Sequence, residues 1–331
     1  MKVSEPFTPK SASVNSRPEM DYYARAFFRN IGLLSRVEQE RLRNSCVAIP
    51  GLGGVGSSML IALARAGVGK FRIADYDAYD VANTNRQYGA SSQTIGRRKV
   101  EVLAEMVTQI NPETQIAIFP EPITDMNIDR FLSGANIVVD GLDFFMPDTR
   151  SLLYRKSREQ GLYVVLTTHL GFSATLQVFS PRGISFDDYF NLRSQMKFED
   201  KILAFIHGLA PKGLHRKYMN TNKLDYTRKR LPSLDAACHI ATGLAVTEVL
   251  NILLRRKPVR CAPYYAQFDP YRMKYKTGYL WMGNRNPLQR LKIFLAKYFA
   301  GADSLKQREN HIPRSAPTNG HPKRQAVKTA L

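Results

Sequence analysis

Glycines suited to phosphate binding cluster near the start of the folded part of the chain. They are Gly51, Gly53, Gly54 and Gly56, in a G-x-G-x-x-G spacing between a strand-like and a helix-like segment. Bare backbone amides in such a loop can bind phosphate oxygens, because glycine lets the backbone approach closely and the following helix begins with partial positive charge. The cluster predicts a nucleotide site, with a tight structural turn as the alternative.

Asp75 ends the next strand-like segment, KFRIAD, about 20 residues beyond the glycines. In dinucleotide-binding proteins a carboxylate at that place accepts hydrogen bonds from the ribose hydroxyls. The glycines and Asp75 fit NAD and ATP equally well, so the choice of nucleotide depends on residues further along the chain.

Those residues lie in the segment ADYDAYDVANTNRQYGASSQTIGRRK. Its polar and charged side chains include Asp77, Asn83, Asn85, Arg86, Gln87 and Lys99. Two cations near a phosphate loop favour a triphosphate, whose negative charge must be screened during phosphoryl chemistry. An NAD-dependent reductase would leave these cations without a purpose. The alternative for Arg86 and Lys99 is a solvated loop and helix face.

Two carboxylates follow the strand-like segment NIVVD, namely Asp140 and Asp143. In a doubly wound sheet the carboxyl edge of the strands faces the ligand crevice, and a carboxylate there can hold Mg²⁺. A helix N-cap is the alternative for Asp143. The sequence therefore predicts ATP, Mg²⁺ and a metal-binding Asp143.

Alternating strand and helix patterns must position these side chains. Strand-like segments (CVAIP, KFRIA, QIAIF, NIVVD, YVVLTTHL) alternate with helix-like ones, which predicts an α/β, doubly wound, Rossmann-like and mostly parallel sheet with helices on both faces. ATLQVFS and the final pair YYAQFD and KYKTGY predict antiparallel additions. The segment 185–232, polar and aromatic with little sheet character, is interpreted as a crossover lid.

The domain boundaries follow from composition. We expect a disordered N-terminus (1–20), one domain (21–282), an amphipathic basic helix (283–300) and a disordered basic tail (301–331). In the amphipathic helix, Leu288, Leu291, Phe294, Leu295 and Tyr298 share one side. We expect that side to pack on the core; docking to a partner and contact with an anionic membrane are the alternatives.

Charge and cysteine content restrict the function classes. The 331 residues carry a formal net charge of +20, and residues 281–331 hold ten Lys or Arg against Asp303 and Glu309. Such a tail suits RNA or an anionic surface, or is simply solvated. Three scattered cysteines predict neither a disulfide framework nor a zinc site. With no secretory signal and no apolar run near membrane-span length, the cytoplasm is the expected location.

The motifs GLGGVGS, ADYDAYDVANTNRQ, IGRRKVE and VVDGLD, in that order, resemble the ThiF/MoeB family, bacterial relatives of ubiquitin-activating enzymes. NTNRQ together with VEVLAEMVTQINPE is similar to the TcdA branch, which cyclises a tRNA modification. The resemblance implies binding of ATP and Mg²⁺ and adenylation of a carboxylate, usually the C-terminal glycine of a ubiquitin-like carrier, with release of pyrophosphate.

The resemblance also implies residue roles. Asp75 matches the ribose-binding residue, Asn83 and Arg86 the phosphate-contacting pair, Lys99 the catalytic lysine and Asp143 the magnesium ligand. The family has an N-terminal arginine that reaches the partner subunit's ATP. An ungapped count falls between Arg25 and Arg29, so both remain candidates and a homodimer is implied.

Two departures from the family pattern bear on the chemistry. Phe144 stands where the family often has asparagine, and the loop to Arg150 is longer, which leaves the geometry at the α-phosphate open. The insertion 185–232 has no cysteine where some relatives carry a nucleophile. Cys238, just beyond it, is interpreted as a small buried residue, with a reactive helix-start thiol as the alternative.

The sequence thus predicts an ATP- and Mg²⁺-dependent adenylyltransferase acting on a carboxylate of a small carrier protein or peptide. A TcdA-like tRNA-modification enzyme is the first alternative, and a non-catalytic nucleotide-binding scaffold is the second.

Overall fold

A computed structural model describes residues 21–219 and 231–309. Residues 1–20 and 310–331, both predicted to be disordered, lie outside the described residues, as does the part of the predicted insertion at 220–230.

One sheet organises the described chain. Its eight strands are β1 (Cys46–Pro50), β2 (Lys70–Ala74), β3 (Gln115–Phe119), β4 (Ile137–Asp140), β5 (Val164–Leu170), β6 (Ser173–Phe179), β7 (Tyr264–Asp269) and β8 (Lys274–Tyr279). Their order across the sheet is β3-β2-β1-β4-β5-β6-β7-β8. Neighbours from β3 to β5 are parallel, and those from β5 to β8 are antiparallel. The predicted fold class is confirmed.

Consecutive residues of the central strands face opposite sides of the sheet, and both sides are buried. On the first face Val47 and Ile49 pack against α2 (Arg36–Asn44), α3 (Gly54–Ala66), α4 (Lys99–Ile110) and α9 (Asp235–Leu254). A short helix, α1 (Tyr22–Ala26), precedes α2 and ends in a 3₁₀ turn at Phe28–Asn30.

Ala48 points to the second face of the sheet. Four helices cover that face: α5 (Ile128–Leu132), α6 (Pro147–Glu159), α7 (Phe186–Phe190) and α8 (Phe198–Leu209). The described part of the predicted insertion is therefore helical and contributes to the core, rather than lying over it as a polar loop. Phe190 and Phe205 are fully buried, with ring centroids 5.0 Å apart.

Helix α9 is long and apolar enough to cross a membrane by length and composition, whereas the sequence reading found no apolar run near that length. In this fold it packs against α3 and against β5 and β6, and half of its apolar window is buried. It is a core helix of the sheet's first face.

The last element is α10 (Pro287–Glu309), which packs against α8. It continues nine residues beyond the predicted helix end at 300, into the stretch predicted to be a disordered tail.

Candidate active site

The turns that follow β1 and β4 meet at the carboxyl edge of the parallel strands, where the strand order reverses direction. Gly51, in the turn after β1, has φ +83°, a conformation that favours glycine. A Cβ on Gly51 would collide with the carbonyl of Gly141, in the turn after β4. Beside this contact lies a cavity of about 400 Å³. Doubly wound proteins bind ligands at such a switch point.

The cavity is lined by residues from four strand ends and by the loop between β2 and α4. The lining comprises Gly51, Gly53, Ala74, Asp75, Tyr76, Asp77, Ala78, Asp80, Asn83, Arg86, Gln87, Lys99, Glu121, Pro122, Ile123, Gly141, Leu142, Asp143 and Met146. Eight predicted site residues are among them: Gly51, Gly53, Asp75, Asp77, Asn83, Arg86, Lys99 and Asp143.

The four predicted loop glycines have different surroundings. Gly53 borders the cavity, and a Cβ there would meet no protein atom within 4 Å. Gly54 and Gly56 lie within the first turn of α3 and do not line the cavity. A Cβ on Gly54 would press on Cys238, and one on Gly56 would collide with the Gly51 carbonyl. Close packing therefore leaves no room for a side chain at either of these two positions.

Asp75 ties the glycine turn to the loop after β2. Its carboxylate accepts hydrogen bonds from the backbone N–H of Leu52 at 2.7 Å and of Asp77 at 2.9 Å. Burial raises the pKa of Asp75, while the nearby Lys99 charge and these two hydrogen bonds act in the opposite direction. The carboxylate is held at the cavity wall, where it can also accept hydrogen bonds from ligand hydroxyls.

Lys99 is the first residue of α4, and two contacts with Asp77 fix its position. Its backbone N–H donates to the Asp77 carbonyl at 3.1 Å, and its Nζ lies 2.8 Å from Asp77 Oδ2. The Lys99 side chain is only 6% exposed, while that of Asp77 is 51% exposed. A buried stem thus brings an ammonium group to the cavity.

Asn83 and Arg86 belong to a tight turn between β2 and α4. Asn83 Oδ1 accepts the Asp80 backbone N–H, which leaves its amide group at the cavity wall. Arg86 is half-buried, and its Nη1 donates to the carbonyl of Ala82 and to the side chain of Asn85. These contacts hold the guanidinium beside the glycine turn, so two cations reach the same cavity.

Asp143 is exposed in the turn after β4, and one of its oxygens accepts the Phe145 backbone N–H at 2.8 Å. Within the described ranges, no group of three or more His, Cys, Asp or Glu could by itself hold a metal ion. Mg²⁺ in nucleotide sites commonly uses one or two carboxylates together with phosphates and waters. An accessible carboxylate at this edge, such as that of Asp143, therefore fits a nucleotide-bound Mg²⁺.

The second carboxylate of that strand end, Asp140, cannot serve in the same way. Its side chain is fully buried, and it accepts hydrogen bonds from Arg150 Nε at 2.7 Å and from the Tyr154 hydroxyl at 2.9 Å. Arg150 also donates to the Leu142 carbonyl at 2.8 Å. This buried network lies under the turn that carries Asp143 and fixes its course.

Phe144 turns away from the cavity. Its ring packs against Phe145 and against Phe205 of α8, with centroids 5.4 and 5.2 Å apart. The aromatic residue that departs from the family pattern therefore joins the core of the second face. Arg150, beyond the longer loop, is likewise occupied by Asp140 rather than directed at a ligand.

Arg25 and Arg29 lie away from the cavity of their own chain. Both are exposed, in and just after α1. The hydroxyl of Tyr23 donates to the Gly67 carbonyl, which anchors α1 at the end of α3 opposite the glycine turn. Helix α3 has 13 residues and is therefore about 20 Å long. Within one chain neither arginine is brought together with the cavity residues.

Cys238 and His169 form a buried contact behind the glycine turn. Cys238 Sγ lies 3.8 Å from His169 Nδ1, and His169 Nε2 lies 2.5 Å from the Ser233 hydroxyl. Burial raises the pKa of Cys238 to about 11. Burial, with the nearby Arg86 charge, lowers the pKa of His169 to about 4. Both side chains are thus neutral near pH 7, which agrees with the interpretation of Cys238 as a small buried residue.

The sequence reading missed several cavity residues. Glu121, Pro122 and Ile123 follow β3 and line the cavity, and across the sheet β3 is separated by β2 and β1 from β4, which Asp143 follows. Their signal was available, because residues after any parallel strand reach the same edge of the sheet. By contrast, nothing in the sequence indicated that Asp140 and Arg150 form a buried pair.

Comparison with known proteins gives consistent results. The model of the ThiF family matches residues 26–289. The chain is 38% identical over 109 residues to the tRNA threonylcarbamoyladenosine dehydratase of Escherichia coli K12, a match covering 33% of this chain and 41% of that protein. It is 31% identical over 146 residues to the adenylyltransferase and sulfurtransferase UBA4 of Saccharomyces cerevisiae S288c, covering 44% of this chain and 33% of that protein. The matched stretches span less than half of either relative.

Among solved structures, that of the E. coli dehydratase TcdA in complex with AMP superposes with a TM-score of 0.53 and 22% identity. The superposition covers 72% of this chain and 97% of TcdA. At that identity the likeness shows a shared fold.

Proposed function

Because the chain belongs to the ThiF family, we propose that it is an ATP-dependent adenylyltransferase that activates a carboxylate in the cavity beside Gly53. One observation carries the proposal. Residues spread from Gly53 to Asp143 come together at a single switch-point cavity, and they include two cations and an accessible carboxylate. That set suits a nucleoside triphosphate better than the nicotinamide end of a dinucleotide, whose ring carries no negative charge.

In the proposed reaction, a carboxylate oxygen of the substrate attacks the α-phosphorus of ATP. The bond from that phosphorus to the bridging oxygen breaks, pyrophosphate leaves and an acyl-adenylate forms. Asp75 would hold the ribose, and the amides around Gly53 and the start of α3 would hold phosphate oxygens. Lys99 and Arg86 would stabilise the negative charge that develops on the phosphate oxygens.

The family resemblance implies Mg²⁺, and Asp143 is the residue that would hold it. When bound, the ion would screen phosphate charge and so favour attack by an anionic carboxylate. Asp140 is excluded from this role by its buried pairing with Arg150. The chain's own contribution is to hold Asp143 exposed in a turn that Arg150 anchors from below.

For the substrate, we favour a carboxylate on RNA over the C-terminus of a carrier protein. The relative at 38% identity is named for acting on threonylcarbamoyladenosine in tRNA, whose threonyl group bears a carboxylate. Removal of water from such a group is consistent with prior adenylation. The net charge of +20 favours a polyanionic substrate. A carrier-protein C-terminus is the second candidate, supported by the 31% identity to UBA4.

We further propose a homodimer in which Arg25 or Arg29 completes the partner's site. Both arginines are exposed and are held at the end of α3 remote from their own cavity. Mixing a Lys99→Met subunit with an Arg25→Ala, Arg29→Ala subunit tests this. Each variant alone should be inactive, and a trans arginine restores one of the two sites in each mixed dimer, which is about a quarter of all sites after random equimolar mixing. No recovery on mixing would place the arginines outside the site.

The test of the activity is exchange of labelled pyrophosphate into ATP. It is run with tRNA bearing threonylcarbamoyladenosine, with unmodified tRNA, with a carrier protein ending in glycine, and with no substrate. Exchange that requires the modified tRNA supports the favoured substrate, and exchange that requires the carrier supports the second. ATP binding without exchange under any condition supports the scaffold alternative.

Asp143→Asn should abolish exchange while leaving the fold unchanged. The matched control is Asp125→Asn, which removes an exposed carboxylate outside the cavity and should leave exchange unaffected. Exchange that survives Asp143→Asn would remove this residue from the site.

A further inference from the structure

Helix α10 contacts the molecule by the side that carries Gln289. Gln289 is 2% exposed and its Nε2 donates to the His207 carbonyl. Lys297 pairs with Asp200 of α8 at 2.7 Å, and Lys292 Nζ donates to the Pro211 carbonyl at 3.2 Å. Ile293 and Ala296 on the same side are half-buried, so the contacting side combines polar contacts with apolar packing.

Its apolar side faces outward. Five large apolar side chains are exposed: Leu288 (71%), Leu291 (53%), Phe294 (65%), Leu295 (42%) and Tyr298 (66%). At about 100° per residue they fall within an arc of about 120°, opposite Gln289. The sequence-based expectation that these five side chains pack on the core is wrong, because the opposite side of the helix, with Gln289 buried and Ile293 half-buried, faces α8. A stripe of this size exposed on one helix indicates a missing partner.

The charges around the stripe restrict that partner. Arg290 and Lys297 lie along one edge of the arc, and Lys292 lies along the other. Residues 281–298 contain no Asp or Glu. Against a second copy of the segment 287–298, cationic edges would face cationic edges. Residues 310–331 of this chain, with four Lys or Arg and no acid, would meet the same repulsion. An anionic partner is favoured over both.

We infer that α10 binds an anionic lipid membrane, lying in the plane of the interface with its apolar stripe inserted. An outward apolar arc with cations on both edges is the arrangement that interfacial helices use. Trp281, the single tryptophan of the chain, is exposed six residues before the helix begins at Pro287. Tryptophan is enriched at membrane interfaces. This inference is independent of the proposed catalytic activity.

The experiment is co-sedimentation of the full-length protein with vesicles of phosphatidylcholine, with and without phosphatidylglycerol. Binding should require the anionic lipid and weaken as salt is raised, and Trp281 emission should shift to shorter wavelength on binding. The double substitution Leu291→Ser, Phe294→Ser should weaken binding at least tenfold, since two apolar side chains lose their burial. Arg290→Gln should weaken it about fivefold.

The matched control is Met126→Ser, which removes a side chain that is 97% exposed on another surface. It should bind as the wild type does. Because all these positions are exposed, the variants should fold, which circular dichroism checks. If the double substitution leaves vesicle binding unchanged, the binding is due to the charge of the tail, and the inference is overturned. A wild-type dimer that the double substitution dissociates, without vesicle binding, would overturn it in favour of a second copy.

Discussion

Lys99 Nζ lies 2.8 Å from the Asp77 carboxylate, at the point where the loop after β2 returns to the first turn of α4. The Lys99 side chain is buried and the Asp77 side chain is half exposed. Asp77 therefore holds the Lys99 ammonium group at the cavity wall. The positive charge is in place before a phosphate binds. Such preorganisation is what electrostatic stabilisation of a transition state requires.

We predict that Lys99→Met lowers the rate of pyrophosphate exchange by about 10² to 10³, the usual cost of losing one charge-stabilising donor. Methionine keeps most of the buried side chain, and the Asp77 carboxylate that loses its cation is half exposed, so water can solvate it. The matched control is Lys257→Met, whose side chain is 64% exposed and lies outside the cavity. Equal rates for both variants would remove Lys99 from the chemistry.

The glycine turn offers a test that separates ligand contact from packing. Gly53→Ala should leave the free energy of unfolding nearly unchanged, because the added Cβ meets no protein atom, yet weaken ATP binding, because it enters the cavity. Gly51→Ala should destabilise the fold by more than about 1 kcal/mol, because φ is +83° and the Cβ collides with the Gly141 carbonyl. Urea unfolding and ATP titration measure the two effects. Unimpaired ATP binding by a folded Gly53→Ala protein would contradict the cavity assignment.

The buried pair Asp140–Arg150 should be a large single contributor to stability under the Asp143 turn. Arg150→Met leaves the Asp140 charge buried without its cation, which costs about 3–5 kcal/mol in comparable pairs. Adding Asp140→Asn should restore part of that loss. Arg155→Met, an exposed position on the same helix α6, is the control and should change stability little. A small loss in Arg150→Met, similar to that of the control, would show that the pair is not a major determinant.

Much of the cavity was predictable because several of its residues follow a recognisable strand or start a recognisable helix. Asp75, Lys99 and Asp143 stand at such boundaries, and parallel strands bring those boundaries to one edge. Which of the glycines borders the cavity and which are required by close packing was not predictable. That difference depends on the approach of Gly51 to Gly141, 90 residues away in the chain.

Two kinds of feature could not be predicted from the sequence: which buried charges pair, and which side of a helix faces the protein. Asp140 and Arg150 meet only because the turn between them folds over α6. Helix α7 has five residues, too few for a periodic pattern, and is defined by the Ser185 cap and by aromatic burial. The periodicity of α10 was visible, but which of its sides faces the protein depends on partners in α8.

Stability should fall as the pH is lowered below neutrality. Burial lowers the pKa of His169, His207 and His215 to about 4 each, below the unfolded value of 6.5. Between pH 6.5 and 4 the unfolded state binds more protons, so the stabilisation present above pH 6.5 is lost as the pH falls toward 4. From pH 7 to 5.5 each histidine should cost about 1 kcal/mol.

Urea unfolding at the two pH values measures this loss, and His207→Gln should reduce it by about a third. His207 Nδ1 lies 2.8 Å from the Leu203 carbonyl and its Nε2 is 2.5 Å from Arg216, an arrangement that suits the neutral ring. A pH dependence that is the same in His207→Gln would show that this histidine does not titrate on unfolding as its burial implies.

The chemistry at the cavity should proceed without a cysteine nucleophile. Cys238 is fully buried, its thiol pKa is raised to about 11, and its sulfur packs against Gly54. A thiol in that state is protonated and inaccessible, so it is a poor nucleophile. Cys238→Ala should therefore keep near-wild-type pyrophosphate exchange and product formation. In the wild-type protein iodoacetamide should label Cys238 only after urea is added, as peptide mass spectrometry would show. Rapid labelling of Cys238 in the native protein, together with loss of product formation in Cys238→Ala, would instead indicate a covalent acyl-enzyme step.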